Sequence, residues 1–396
     1  MNRLFAFVWL VIIGTNVAGY YSEATPYQGA VILAGAAYFL FVSCRQFLRL
    51  IFFNDYLLAL AILVVPILLM VLSDRSFERG AYTSQIAVAS TFVVASVLAL
   101  RPDLSRTVAI AAFAIVAVGA ALNLYELFVQ NNVWSIAPGR SAGFYLNPNI
   151  SAEALVGYGL VFLLARSAKF SVADLILMSL VVVGVFATFS RAGIVASVVL
   201  LTAATLMRGQ RKHMPRIVLG GVAVALLAFA FASFVVRNLD LSEDATMRIL
   251  SLIESGGVGD YKEDRGLTAL TSLELAMENP VTGAGVGAIS QMPEGPHNMF
   301  LAMMVEYGLV GLFVYLVMIV RLIQIARRAD RSLSGMILFF AAWLVIFGFA
   351  SHNLLGNPET IPLMGFALGR AYQIQFSRKA RQVEAMRPQK MTPCGF

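Results

Sequence analysis

The sequence predicts an all-α polytopic membrane protein with about twelve transmembrane helices and one external helical loop region, and three observations predict it. Apolar runs recur from end to end, with 59% of residues hydrophobic and only 13% charged, against about 25% charged in an average soluble domain. Each run approaches the roughly 17–25 residues that cross a hydrocarbon core as a helix. Basic residues gather in alternate connecting loops, which is an orientation signal rather than a nucleic-acid footprint despite the formal charge of +7.

Taken in order, the predicted spans of the first half lie near 4–21, 27–43, 56–72, 81–100, 107–129 and 150–165. Those of the second half lie near 172–188, 192–207, 217–235, 299–320, 336–350 and 360–376. The opening run has a leader's length, but Arg3 is its only basic flank and no small-x-small cleavage site follows, so it reads as a retained span. With Arg3, one set of loops and the tail hold 20 of the 29 Lys and Arg, among them Arg45, Arg49, Arg101, Arg106, Arg166 and Lys169. Arg208, Arg211, Lys212 and Arg216 follow, then Arg321, Arg327, Arg328, Arg331 and the tail from Arg378 to Lys390. The positive-inside rule therefore places both termini in the cytoplasm. Four regions result: 1–235 with nine helices, an external loop region 236–298, three helices over 299–376, and a basic cytoplasmic tail 377–396.

The external loop is acidic, with ten Asp and Glu against Arg237, Arg248, Lys262 and Arg265 between 236 and 296. Two short amphipathic helices are expected there, 245–255 and 264–278, the second with Leu267, Leu270 and Leu273 at helical spacing. Asn279-Pro280 stops it, and Gly283, Gly285 and Gly287 make a flexible return. Cys44 and Cys394 fall at predicted cytoplasmic boundaries, so no disulfide is expected. With three histidines and two scattered cysteines, no metal site is expected either.

The residues that suit chemistry lie on the outer side. His297, in Pro296-His297-Asn298, has an ordinary pKa near 6.5 and stands where the polar loop enters a membrane helix. It suits a general base acting on a sugar hydroxyl; the plainer alternative is an interfacial histidine bonded only to its loop. Asn298 either holds a hydroxyl or caps the helix. Positions 297, 301, 304, 308 and 311 follow helical spacing, so His297 is expected to head a face ending in Gly308 and Gly311, which permit close packing. Glu306 lies inside the span on the opposite face and is expected to pair with a cation from another helix.

Arg191, in Ser190-Arg191-Ala192-Gly193, sits between two apolar spans with almost no loop, where an arginine needs an anion, a wet cavity or a route to the headgroups. Its planar fork suits phosphate. Arg140, Arg248 and Arg265 are further external cations that a diphosphate site would recruit, against the alternative of solvated surface charges. In Asn147-Pro148-Asn149, one asparagine caps the next helix and Glu153 is expected to favour its positive end; Asn149 is a candidate binding residue. Trp134, Phe144 and Tyr145 read as an interfacial belt or a sugar-stacking surface.

Together these pieces resemble the bacterial O-antigen ligase and polymerase superfamily. The match rests on Pro296-His297-Asn298 with Glu306-Tyr307-Gly308-Leu309-Val310-Gly311, Ser190-Arg191-Ala192-Gly193, and Gly143-x-x-x-Asn147-Pro148-Asn149. It also uses Arg265 with Glu278-Asn279-Pro280-x-x-Gly283-x-Gly285, and Ser351-His352-Asn353 through Asn357-Pro358. The resemblance covers roughly residues 140 to 365 and keeps order and sidedness. It implies an inverting GT-C-type glycosyltransferase of the bacterial inner membrane with a periplasmic active site. Such an enzyme takes an undecaprenyl-diphosphate-linked glycan as donor and lipid A–core or another glycan as acceptor, with membrane lipid as surroundings and no nucleic acid, cofactor or metal. His297 then matches the histidine at the acceptor hydroxyl, and Arg191 and Arg265 match arginines on the donor diphosphate. A ligase is the leading expectation. An O-antigen or exopolysaccharide polymerase is the nearest rival, and a protein-directed oligosaccharyltransferase is a further one. A lipid-linked glycan flippase or secondary transporter, or a non-catalytic assembly subunit, are the readings of another class.

Overall fold

The computed structural model of the chain describes residues 2–21, 27–72, 79–130, 132–166, 171–208, 261–292, 295–327, 331–352 and 354–385. The span expected at 217–235, the short helix at 245–255, Arg248, and the tail beyond 385 lie outside the described residues. The described elements are helices: α1 Asn2–Gly14, α2 Val17–Tyr20, α3 Tyr27–Val42, α4 Cys44–Ile51, α5 Asn54–Leu72, α6 Arg79–Ala99 and α7 Ser105–Phe128. They continue as α8 Pro148–Ala165, α9 Val172–Ala187, α10 Arg191–Arg208, α11 Tyr261–Glu278, α12 Met299–Arg327, α13 Arg331–Gly348 and α14 Ile361–Ala385.

Among the described residues, three helices are long and apolar enough to cross a membrane: Pro102–Phe128, Pro148–Ala165 and Met299–Arg327. Gln28–Val42 with Cys44–Ile51 makes a fourth if that pair, bent by 89°, is one span. Other predicted spans are realised as shorter apolar helices, such as Val172–Ala187 and Ile337–Gly348. The all-α expectation therefore holds, and helix length alone supports three or four of the expected twelve crossings among the described residues.

The first predicted span is broken. Residues 4–21 were expected as one helix, but Asn16 takes a left-handed backbone (φ 55°) between α1 and α2. Its side-chain amide donates to the Phe144 carbonyl at 3.0 Å, and asparagine pays less than other residues for that conformation. The next predicted span, 27–43, is realised as α3, and α4 turns away from it after Ser43.

Helices α6 and α14 approach each other closely. Gly365 and Gly369 lie four residues apart, and a Cβ on either would come within 2.3 Å of the Phe92 or Ser96 carbonyl oxygen of α6. Small residues at this spacing let backbones approach where lipid offers no hydrophobic drive between helices. Gly369→Leu is expected to force α14 off α6 at a cost of about 1–3 kcal/mol or more, read as a lowered thermal transition of the purified protein. Gly29→Ala is the control, because a Cβ there meets nothing within 4 Å.

Hydrogen bonds identify two ends of the bundle. At one, Ser105 Oγ donates to the Ala165 carbonyl at 2.5 Å, and Arg166 meets Ser171 and Asp174 at 3.1 and 3.7 Å. At the other, the Trp343 indole N–H reaches the Glu153 carbonyl at 3.2 Å, tying the start of α8 to the end of α13. The Tyr158 hydroxyl reaches the Glu359 carbonyl at 3.0 Å, and Phe300 at the start of α12 stacks on Phe349 with centroids 4.7 Å apart. This second end gathers the α7–α8 loop, the α9–α10 turn, the approach to α12 and the α13–α14 loop, where Arg140, Asn149, Arg191, His297 and Asn298 lie.

Candidate functional site

The α7–α8 loop is organised by a residue that sequence reasoning passed over. Glu126 is 1% exposed, and its carboxylate accepts four backbone N–H groups. Oε1 takes Trp134 and Ser135 at 2.9 and 2.6 Å, and Oε2 takes Ala142 and Gly143 at 2.7 and 3.0 Å. Its signal was an acid near the end of an otherwise apolar run, which is costly unless satisfied. The loop so held presents Arg140, whose Nε donates to the Thr188 carbonyl and whose Nη2 donates to Asn149 Oδ1, both at 2.9 Å. Arg140 thus braces the α9–α10 turn against the start of α8, and Asn149 is its partner. Asn147 caps α8 as expected, accepting the Asn149 N–H at 2.9 Å. Of the aromatics, Phe144 and Trp134 pack together (5.6 Å) in the α7–α8 loop, whereas Tyr145 is buried with its hydroxyl on the Gly14 carbonyl. Tyr145 therefore belongs to neither a belt nor a stacking surface.

Glu153 does not serve the positive end of α8. It is fully buried, neither oxygen has a hydrogen-bond partner, and Ser351 and Glu359 are close enough to act on it. Glu359, in the α13–α14 loop, is pushed up to about 7, chiefly by burial. Its folded pKa is above its ordinary 4.5, so its contribution to stability is complete below about 4.5 and lost as pH rises through about 7. The thermal transition should therefore fall from about pH 5 to about pH 8 more steeply in the native protein than in Glu359→Gln.

Arg191 is the first residue of α10 and is exposed. It follows Phe189, buried with φ 50°, and Ser190, whose Oγ accepts the Gly193 N–H at 3.3 Å. A guanidinium at an exposed helix N-terminus stands beside backbone N–H groups that also favour an anion. Arg140 is held on the carbonyl of the same turn, so the two arginines share one corner of the bundle.

His297 lies just ahead of α12 with a left-handed backbone (φ 46°), outside the helix. Asn298 is the cap: its Oδ1 accepts the N–H groups of Phe300 at 2.9 Å and Leu301 at 3.3 Å. The expected helical face from 297 to 311 is not formed, because α12 itself breaks at Gly308 (φ 64°, ψ −159°). The segment after α11 fills that break. Leu309 N–H donates to the Pro280 carbonyl at 2.8 Å, and Ala284 N–H donates to the Val305 carbonyl at 2.7 Å. A Cβ on Gly308 would lie 2.2 Å from the Val281 oxygen, and one on Gly283 would lie 2.5 Å from the Tyr307 nitrogen. These glycines serve a backbone crossing, not helix–helix packing, and the expected flexible return is stitched into α12. The exposed backbone of a broken membrane helix is tolerated where protein satisfies it in this way.

Glu306, two residues before the break, accepts the Gly287 N–H at 3.0 Å. No ion pair joins it to a cation among the described residues, so backbone donors take the place of the expected partner. In α11, Leu267, Leu270 and Leu273 are exposed, while Ser272 and Ala276 are buried. The helix is present, but small residues, rather than the leucine stripe, face inward. Arg265 is the fifth residue of α11, which packs on α12.

A second histidine completes the arrangement. His352, from the α13–α14 loop, stands edge-on to His297 with ring centroids 5.5 Å apart. Burial, and then the neighbouring His297, push it down to about 4, so its ring is neutral at pH 7. It closes on Gly295, where a Cβ would lie 2.4 Å from the ring. Beside it a cavity of about 460 Å³ opens between α5, α6 and α12. Sequence reading quoted His352 within a motif but assigned it no role; only the contact with His297 marks it. α13 packs on both α10 and α12, so the helices that begin next to Arg191 and His297 share a neighbour.

Residues 176–316 match the model of the Wzy_C family, described as O-Antigen ligase. No curated protein matches the chain. One solved structure, from a study described as "Structural coordination of polymerization and crosslinking by a peptidoglycan synthase complex", is 18% identical to it. The alignment covers 82% of this chain and 97% of that chain, with a TM-score of 0.47. The matched family region contains Arg191, Arg248, Arg265, His297, Asn298 and Glu306, and leaves Arg140 and Asn149 before it. Over residues 176–316 this multi-pass helical membrane protein is thus similar to the O-antigen ligase family.

Proposed function

We propose that the protein is an O-antigen ligase: it transfers a glycan from undecaprenyl diphosphate to a hydroxyl of lipid A–core at the periplasmic face of the inner membrane. The observation that carries the reading is the placement of His297, inside the family region, at the same end of the bundle as Arg191 and Arg140. Undecaprenyl diphosphate is already a good leaving group, so the protein mainly has to hold and neutralise it. Arg191, with Arg265 and Arg248 from the loop region, supplies charge-assisted hydrogen bonds to the diphosphate as the sugar–phosphate bond breaks. His297 takes the proton of the acceptor hydroxyl as its oxygen attacks the anomeric carbon from the opposite face. The displacement is one step, with inversion and no covalent enzyme intermediate; it asks for neither a metal nor a cofactor.

The test is reconstitution with an undecaprenyl-diphosphate-linked glycan and two acceptors, lipid A–core and a second lipid-linked repeat. Product on lipid A–core supports the ligase. Lengthening of the second repeat makes the protein a polymerase, and transbilayer movement of the donor without a new glycosidic bond makes it a flippase. Within a working assay, Arg191→Lys keeps the charge but loses the planar fork. It is expected to cost about 10–100-fold in kcat/KM for the donor, a loss of roughly 1.4–2.7 kcal/mol.

A further inference from the structure

The cavity beside His352 differs in chemistry from the arginine corner. Among its described lining residues there is no Lys or Arg; its polar groups are the Glu306 carboxylate, the Gln85 amide, the Tyr307 phenol and the His352 imidazole. A diphosphate there would face a carboxylate with no cation to offset it. Uncharged sugar hydroxyls are matched, because a carboxylate offers about four acceptor positions, an amide both donates and accepts, and a phenol does either. The Gly287 and Ile289 N–H groups and the Tyr307 hydroxyl take up part of the Glu306 capacity, and the Tyr307 oxygen keeps its acceptor side. The remaining wall is aliphatic and methionine-rich, including Leu63, Pro66, Met299 and Met303, and suits the C–H face of a sugar ring. The volume of about 460 Å³ lies within the range of roughly 300–1,000 Å³ typical of small-ligand sites.

Position selects which substrate enters. The cavity ends at His352, whose ring stands against His297, whereas Arg140 and Arg191 belong to the α8–α10 corner. A group in the cavity is thus brought to the imidazoles, and neither arginine is among its lining residues. The wall is preformed: the His352 ring packs against Gly295, and the stitched break at Gly308 fixes the helical turn that carries Glu306.

We infer that this cavity is the acceptor subsite, binding uncharged terminal sugar residues of the acceptor glycan through Glu306, Gln85 and His352, with the attacking hydroxyl at the His352–His297 edge. The inference rests on the glycosyl-transfer reading. Its test uses the full chain in the reconstituted assay, with KM measured separately for the undecaprenyl-diphosphate glycan and for each of the two acceptors. Ala302→Phe fills the cavity and Gln85→Ala removes a polar contact. Acceptor KM should rise about tenfold or more in the first and about threefold in the second, with donor KM unchanged within about twofold. His352→Asn, which keeps a hydrogen-bonding group, should retain more acceptor affinity than His352→Phe. Should Ala302→Phe fail to fold, Gln85→Ala and the His352 pair carry the test.

A rise in donor KM instead would make the cavity a pocket for the isoprenoid or the donor sugar and overturn the inference, as would unchanged KM values for both substrates. If the native protein transfers glycan to no acceptor, the functional reading fails first, and that result is distinct from either of these.

Discussion

His297→Asn is expected to fold at least as well as the native chain while losing about 10²–10⁴-fold in glycan transfer, the usual contribution of a positioned general base. Asparagine is the informative substitution because His297 holds a left-handed backbone (φ 46°), a conformation asparagine adopts at less cost than alanine. The cap of α12 is made by Asn298, not by His297, so the helix start is untouched. The loss should fall on kcat, since a base acts on the proton in the transition state, while donor KM stays near the native value. The measurement is initial-rate transfer at saturating donor, beside a thermal transition of the same preparation. Transfer within about tenfold of native, in a protein of native stability, would remove His297 from the base role.

The elements that sequence exposed are those set by local chemistry. Asn147-Pro148 marks the start of α8 because an asparagine cap and a proline at the first helical position need only their own neighbours. The end of α11 at Glu278, before Asn279-Pro280, is equally local. What stayed hidden depends on distant partners. Gly308 carries a helix glycine's ordinary pattern, and nothing near it announces that residues 280–284 will insert into the break. Asn16 reads as one polar residue in an apolar run until Phe144, far along the chain, takes its amide. For the site, His297 was legible from residue type and from its place at the loop–helix junction. His352 was not, since its relevance is a contact across α12, α13 and the loop that follows. Glu306 was singled out correctly as costly in a membrane helix, but the guess of a cationic partner overlooked backbone N–H groups as an alternative source of compensation.

Glu126→Gln is expected to cost about 2–5 kcal/mol of stability, a large loss for a single isosteric change. The reason is geometric. Two N–H groups converge on each carboxylate oxygen: Trp134 and Ser135 on one, Ala142 and Gly143 on the other. An amide has one acceptor oxygen, so whichever way it turns, its NH₂ group is aimed at two N–H donors. The site is 1% exposed, so water cannot relieve that pair, and each buried donor left unsatisfied costs about 1–3 kcal/mol. Glu126→Ala strips all four donors and is expected to cost more. Because the loop carries Arg140, its loosening should also release the Thr188 carbonyl and Asn149, and with them the α9–α10 turn on which Arg191 stands. The expected record is therefore a lowered thermal transition together with faster proteolysis between residues 130 and 143 and a raised donor KM. Arg140→Ala separates the two effects: it removes the brace but leaves the four N–H groups on Glu126, so it should reproduce the donor KM change with the smaller loss of stability. A Glu126→Gln protein whose thermal transition and loop protection match the native chain would show that the four-fold backbone cradle does not hold this end of the bundle together.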